Sequence, residues 1–575
     1  MFIGMKREAE NCSQDDLPTK KNKSVSSRGQ SLGLTEFINH GFSPITGELK
    51  SRMEDFLVTE INDDGTKCIL NSFDIPERQT VERNQDTELV TLSDEVVCGL
   101  NQVIDGSLKV YSITAPTEKE QRTALHKSIS TFNVKLSTET VKEEDISVIK
   151  VSLKKKGFHG HRDRERNKDQ QFLHFTLLKW NMTTADTVLR ISKLLKFKSS
   201  NLSYVGQKDK RGITSQRMCC RFGEPKRFAG LNKTFFEANK TESDSLVYRN
   251  NFLLGEFAFQ KDDLKLGELS GNAFTVVLRD CLPTTEDNLE KIRTMLLENG
   301  FINYFGLQRF GNSGNTQDVG RFILDKDYCG AVKTILTPNN NHKDGVKQAL
   351  DHYKDSVDAK SAFEMLKYKN CAEGILLGSL SKEPTDFKRA LKSLHYKQQT
   401  LYAHAYQSYI WNKVVSKRIQ CHGTQVLEGD LVQDEKNTVR KVSLQEMPKT
   451  QFSDVLLPLP GYDIVLPDNQ CSDYLTSILA EDGMSLDTFR GPVGKEFNVS
   501  GCYRNIVFKP SDFTSEVLQY SDENEKLVLT NVDNIANKKF ERENVGDKIA
   551  ICLKFSLPKS SYATMLLREI SRNDY

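Results

Sequence analysis

Val205-Gly206-Gln207-Lys208-Asp209-Lys210-Arg211-Gly212-Ile213-Thr214-Ser215-Gln216 is the stretch from which the rest of the chain can be read. It sets one carboxylate, Asp209, among three cations, Lys208, Lys210 and Arg211, behind a glycine, Gly206. Nearby cations favour the ionised carboxylate, and they also draw phosphate-bearing molecules toward it. A nucleophile or base delivered to nucleic acid needs both. On the local pattern alone a solvated Lys/Asp/Arg turn is the commoner outcome, so the flanks decide. Before the stretch, Phe172 to Lys179 is a strand-favouring apolar run, and Thr184 can cap a helix carrying Val188, Ile191, Leu194 and Leu195 at helical spacing. After it, Ile213, Thr214 and Gln216 continue as a second strand. Asp209 is thereby expected at the end of a structural element, the usual way a scaffold presents a catalytic loop residue.

Working outward, further motifs fall in order. Arg52 to Glu60 contains Asp55, Phe56 and Glu60; Leu266 to Arg279 contains Gly271-Asn272-Ala273-Phe274; Asn303 to Gly311 reads Asn-Tyr-Phe-Gly-Leu-Gln-Arg-Phe-Gly. Together with Gly206-x-Lys208-Asp209-Lys210-Arg211-x-x-Thr214-x-Gln216, these resemble the signature motifs of the TruD family of RNA pseudouridine synthases. Echoes at Ala405 to Asn412, Leu459 to Tyr462 and Ser561 to Ile570 extend the resemblance nearly to the C-terminus, and they are most similar to the eukaryotic branch.

The resemblance implies a fold and a site. The fold class is α+β: an α/β sandwich of pseudouridine synthase type with a mixed, largely antiparallel sheet, interrupted by a mainly helical α+β domain. Residues 1–33 are expected as a disordered tail, 42–300 as the first part of the catalytic domain, 301–500 as the insertion, and 501–575 as the return, opened by Gly501-Cys502-Tyr503-Arg504. Asp209 takes the place of the catalytic aspartate. Lys50, Phe56, Lys208, Asn272, Phe274 and Arg309 take the place of substrate-binding residues, with Phe274 as the stacking face and Asn272 as a polar wall. Tyr304, Phe305 and Arg309 are expected to hold the cleft in shape rather than touch the reacting atoms. Two positions depart from the family. Met53 stands where many members carry proline, and Gly212 where alanine is usual. The glycine is expected to loosen the loop by about 0.5–1 kcal/mol.

The chemistry implied is the conversion of uridine to pseudouridine: an N-glycosidic bond breaks, the base rotates, and it rejoins the ribose through carbon. Nothing is oxidised and no group is carried away, so no cofactor and no metal are required. An anionic carboxylate must attack C6 of the ring or C1′ of the ribose, or remove a ribose proton to give a glycal. The residues leave these routes open. A uridine inside folded RNA must first be flipped out at a cost of a few kcal/mol, and an aromatic face returns roughly 1–3 kcal/mol per base. By resemblance the substrates are uridine 13 and other sites of transfer RNA, together with small nuclear and messenger RNA.

Composition is consistent with this and bounds it. The 575 residues exceed one ordinary core. The net charge of +2 makes no overall case for nucleic acid, so an RNA surface must come from local basic patches. One such patch is the loop 154–166, with Lys154, Lys155, Lys156, Phe158 and three arginines ending at Arg166. His159 and His161 in it have no further ligand nearby and do not read as a metal site. Twelve scattered cysteines, with no Cys-x-x-Cys and no secretory signal, suit a reduced intracellular protein. No run approaches the roughly 18 apolar residues of a membrane span. A monomer is expected, in the nucleus and secondarily in the cytoplasm, although Lys20, Lys21, Lys23 and Arg28 are only a weak import signal. Two other classes are weighed against the enzyme. An RNA-binding protein with the same groove is disfavoured by the intact Asp209, Asn272 and Phe274. A phosphate-handling enzyme suggested by Gly311 to Thr316 lacks any Gly-x-x-x-x-Gly-Lys-[Ser/Thr].

Overall fold

The structure, a computed structural model, describes residues 28–77, 89–143, 146–154, 172–240, 246, 248, 251–311, 313–490 and 499–575. The basic loop 154–166, apart from Lys154, and the tail as far as residue 27 lie outside them.

Nine strands form the main sheet: Glu48–Leu49 (β1), Phe56–Ile61 (β2), Phe172–Trp180 (β3), Leu202–Tyr204 (β4), Ile213–Arg221 (β5), Phe252–Gln260 (β6), Gly271–Arg279 (β7), Ser511–Tyr520 (β8) and Lys548–Pro558 (β9). Their order is β8-β9-β7-β2-β5-β3-β6, with β1 on β7 and β4 on β5. Only β2 and β5 run parallel; the other pairs are antiparallel. The sheet is therefore mixed and largely antiparallel, as expected. β2 follows from its alternation: Phe56, Val58 and Glu60 are buried and the residues between them half-buried. It ends in a turn at Asn62 to Thr66, with Gly65 at φ +82°.

Register places the site. Asn272 lies opposite Glu60 on one side and Leu557 on the other, and Phe274 opposite Val58 and Phe555. Directly paired residues share a face, so Glu60, Asn272 and Phe274 look out on the same side of the sheet. The apolar members of this face, Phe56, Val58, Phe274 and Phe555, belong to a core that continues into Tyr406, Ile410, Trp411 and Phe489. The segment 301–500 thus packs on the catalytic sheet through one shared core. Its own helices close a second core around Val319, Ile323, Val332, Leu350, Leu376 and Leu391. A separate small unit, a three-stranded sheet of Tyr111–Thr114, Leu136–Glu143 and Ile146–Leu153 with helices Asp94–Ile104 and Lys119–Phe132, is built around Leu100, Val103, Ile129, Leu136, Ile149 and Val151.

Four expectations need correction. The helix Thr184–Leu195 is capped by Thr183, whose side chain accepts the Asp186 N–H, and Thr184 is its first residue. Of its adjacent leucines only Leu195 is buried; Leu194 faces solvent, because the buried face follows Thr184, Thr187, Val188, Ile191 and Leu195. The tail does not extend to residue 33: Arg28–Ser31 is a helical turn, and Leu32 and Leu34 are buried in the main core. The return is not opened at Gly501. Cys502–Asn505 pairs with Leu456–Leu459 in a small four-stranded sheet, Phe301–Ile302 pairs with Val507–Phe508, and the chain rejoins the main sheet at Ser511.

Candidate active site

The loop between β4 and β5 is held from several sides, Asp209 included, with one carboxylate oxygen of Asp209 left open. Gln216, on β5, donates its Nε2 to the Gly206 carbonyl at 2.9 Å and accepts the Thr184 hydroxyl at 2.9 Å. The Thr184 oxygen in turn accepts the Lys208 backbone N–H at 3.2 Å. The Lys208 side chain is buried, with its ammonium 2.6 Å from Glu60 Oε2 and 2.8 Å from Asn272 Oδ1. Glu60 also accepts the Arg217 backbone N–H at 2.9 Å. Charges buried this deeply require such partners, and Lys208 and Glu60 supply each other's.

From below, β3 sends up Lys179. Its ammonium, fully buried, donates to the carbonyls of Asp209 (2.7 Å), Met182 (2.8 Å) and Lys208 (3.4 Å). Burial pulls its pKa down to about 8, against the Asp209 carboxylate, which favours the charged form, and alongside Lys208, which opposes it.

Asp209 itself is one-third exposed, and its Oδ1 accepts from Lys50 at 2.9 Å. Among the described residues nothing engages Oδ2. Lys50 adopts φ +59°, a left-handed backbone that costs a non-glycine residue roughly 1–2 kcal/mol. Its ammonium also lies 3.8 Å over the Phe56 ring. Phe56 meets Phe274 edge to face at 6.2 Å, and Phe274 stacks on Phe555 at 5.3 Å. Phe274 is only 8% exposed, so it serves the core as well as the cleft.

Gly212 overturns the expectation of a loosened loop. Its φ is +145°, and a Cβ there would stand 2.5 Å from the Phe56 carbonyl oxygen. The course of this loop demands glycine. Asp55, in the early motif, is fully buried and accepts two bonds from Arg279, at 2.8 and 2.9 Å, and the Arg52 N–H.

The sequence of residues 142–570 matches the family model for tRNA pseudouridine synthase D (TruD). The chain belongs to the TruD family. It is similar over 94% of its length to the human pseudouridylate synthase 7 homolog, at 34% identity and covering 81% of that protein. It is likewise similar to the multisubstrate pseudouridine synthase 7 of Schizosaccharomyces pombe, at 30% identity over 94% of this chain and 90% of that one. The crystal structure of the tRNA pseudouridine synthase D (TruD) of Methanosarcina mazei superposes with a TM-score of 0.58, covering 96% of this chain and 99% of that one at 19% identity, which shows the shared fold. The protein is an RNA pseudouridine synthase, an isomerase.

As a TruD member its expected site residues divide. Asp209, Lys50, Phe56, Lys208, Asn272 and Phe274 are linked by the contacts above. Arg309 stands elsewhere: its guanidinium lies 5.3 Å from the Phe305 ring, beside Arg504. Tyr304 is buried, and its hydroxyl bonds to Ser416 at 2.6 Å and accepts the Glu36 N–H, in keeping with a structural role. Sequence reasoning missed Lys179, whose signal was the one lysine of a largely apolar strand, and the second duty of Thr184 under the loop. Among the described residues no three His, Cys, Asp or Glu side chains gather as metal ligands, and no helix is long and apolar enough to cross a membrane. His159 and His161 lie outside the described residues.

Proposed function

We propose that the protein isomerises uridine in transfer RNA, at position 13 and at other sites, and in small nuclear and messenger RNA, with Asp209 as the reacting carboxylate. The observation that carries this reading is the contrast within the loop. Lys208 is spent on Glu60 and Asn272, Lys179 on three carbonyls, and Lys50 on Asp209 Oδ1, while Asp209 Oδ2 has no partner among the described residues. A carboxylate held in place by buried groups but left open on one oxygen is suited to act as nucleophile or base on a flipped uridine. The flipped base stacks on the face of Phe274 turned away from Phe555, and Asn272 and Lys208 border it. Lys50 pairs with Asp209 Oδ1 at 2.9 Å and is close enough to answer charge that develops on the substrate.

The breadth of substrate follows the S. pombe relative, which is named as multisubstrate. The protein works as a monomer, without a cofactor, in the nucleus and secondarily in the cytoplasm. Incubation of the full chain with unmodified transfer, small nuclear and messenger RNA, followed by chemical mapping of pseudouridine, is the test. Modification of transfer RNA at position 13 and of at least one other class is expected. Binding of all three without modification of any would overturn the reading in favour of an RNA-binding protein.

A further inference from the structure

Four arginines are buried among the described residues: Arg279, Arg418, Arg504 and Arg568. Three have a carboxylate partner, Asp55, Asp430 and Asp574 respectively. Arg504 has none among the described residues. Its Nε donates to the Asn303 carbonyl at 2.9 Å and its Nη2 to Asn303 Oδ1 at 2.8 Å, and Nη1 makes no hydrogen bond there. Its guanidinium lies 4.1 Å from the ring of Phe305, 5.4 Å from Trp411 and 5.9 Å from Tyr562.

An aromatic cage offsets part of the cost of burying one cation. Here there are two. Arg309, half-buried, lies 5.3 Å from the same Phe305 ring and has no carboxylate partner among the described residues. Burial holds the Arg504 pKa down to about 10, and the neighbouring Arg309 pushes it in the same direction. Two like charges on one ring repel each other, and an anion between them would relieve the repulsion. Guanidinium forks match phosphate oxygens in shape as well as charge.

We infer that Arg309 and Arg504 together hold a phosphate of the RNA backbone, a site distinct from the uridine pocket at Asp209. The inference rests on the RNA reading above. Such a contact positions the strand without reading its sequence.

The test is the salt dependence of RNA affinity, measured with the full-length protein and unmodified transfer RNA for wild type, Arg504→Gln and Arg309→Gln. Each lost phosphate contact should make the slope of log K against log salt shallower by about 0.7–0.9, with affinity falling alike for unrelated sequences. Arg504→Gln risks misfolding because the side chain is caged; Arg309→Gln does not, since its guanidinium makes no hydrogen bond among the described residues. Wild-type binding with the full slope kept in Arg309→Gln overturns this inference alone. Failure of wild type to bind RNA overturns it together with the function reading. Inorganic phosphate at matched ionic strength is the remaining arm. If it protects wild type but not Arg309→Gln against heat while the RNA slope is unchanged, the site takes free phosphate and the backbone assignment is wrong.

Discussion

Three backbone carbonyls, of Met182, Lys208 and Asp209, converge on the Lys179 ammonium, which has three protons to give. Loss of one proton would leave a carbonyl of the catalytic loop without its donor. Burial lowers the Lys179 pKa from 10.5 to about 8, so between these values the unfolded chain holds a proton that the folded chain has released. For this group stability therefore rises with pH across that window, while the loop is less well held. The kcat profile is expected to fall as pH rises through about 8 without a matching fall in Tm. Lys179→Arg, which does not titrate there, should remove that limb of the profile even if its rate is lower. Lys179→Met should cost activity on the order of 100-fold through misplacement of Asp209. The charged residues of the loop were legible because they stand side by side in the chain. The role of Lys179 was not, because its acceptors are backbone carbonyls, and these carry no signature in sequence.

At the scale of elements, the loop after β4 and the strand β7 each carry a prediction. Gly212→Ala would set a Cβ against the Phe56 carbonyl at a φ of +145°, so it is expected to lower stability by about 1–3 kcal/mol, read as a fall in Tm. The family resemblance implied the reverse, that the glycine would loosen the loop. Backbone angle and neighbouring carbonyl decide the matter, and neither is written in the residue type. On β7, Phe274→Leu keeps the position apolar but removes the ring. The kcat/KM for RNA is expected to fall roughly 5- to 150-fold, the equivalent of about 1–3 kcal/mol of stacking, with a loss of stability smaller than the roughly 3–5 kcal/mol of truncation to alanine. Strands such as Phe56–Ile61 and Phe172–Trp180 were legible from runs of apolar, strand-favouring residues. The pairing of Cys502–Asn505 with Leu456–Leu459 was not, since register across that distance depends on the packed segment between.

At the scale of the whole molecule, the segment from Gly29 to Asn39 is tied to the C-terminal helix. Glu569, buried on the last helix, accepts the backbone N–H groups of Ile38 and Asn39 and pairs with Arg572 at 3.5 Å. Arg568 donates to the carbonyls of Leu34 and Glu36, and Asp574 accepts the Gly29 N–H. The segment after residue 27 is thus a strap between the C-terminal helix and the helix Tyr396–His422, where the Ser416 hydroxyl donates to the Gly33 carbonyl at 2.5 Å. Glu569→Ala would leave the Ile38 and Asn39 N–H groups without their acceptor, while Arg572 keeps the Asn39 carbonyl. It is expected to cost about 1–3 kcal/mol, measured by urea unfolding. This strap was hidden in the sequence because two leucines in a polar stretch do not announce a core. The partners that bury them lie at the far end of the chain.

Asp209, proposed as the reacting carboxylate, is held in place by Lys50 and Lys179. Asp209→Asn keeps the shape of the side chain and the carbonyl that Lys179 grips, and removes only the charge. Wild type and Asp209→Asn are to be incubated side by side with unmodified transfer RNA and assayed for pseudouridine and for RNA affinity in one buffer. Pseudouridine is expected from wild type alone, with RNA affinity retained in both. Pseudouridine formed by Asp209→Asn at the wild-type rate would contradict that role for Asp209.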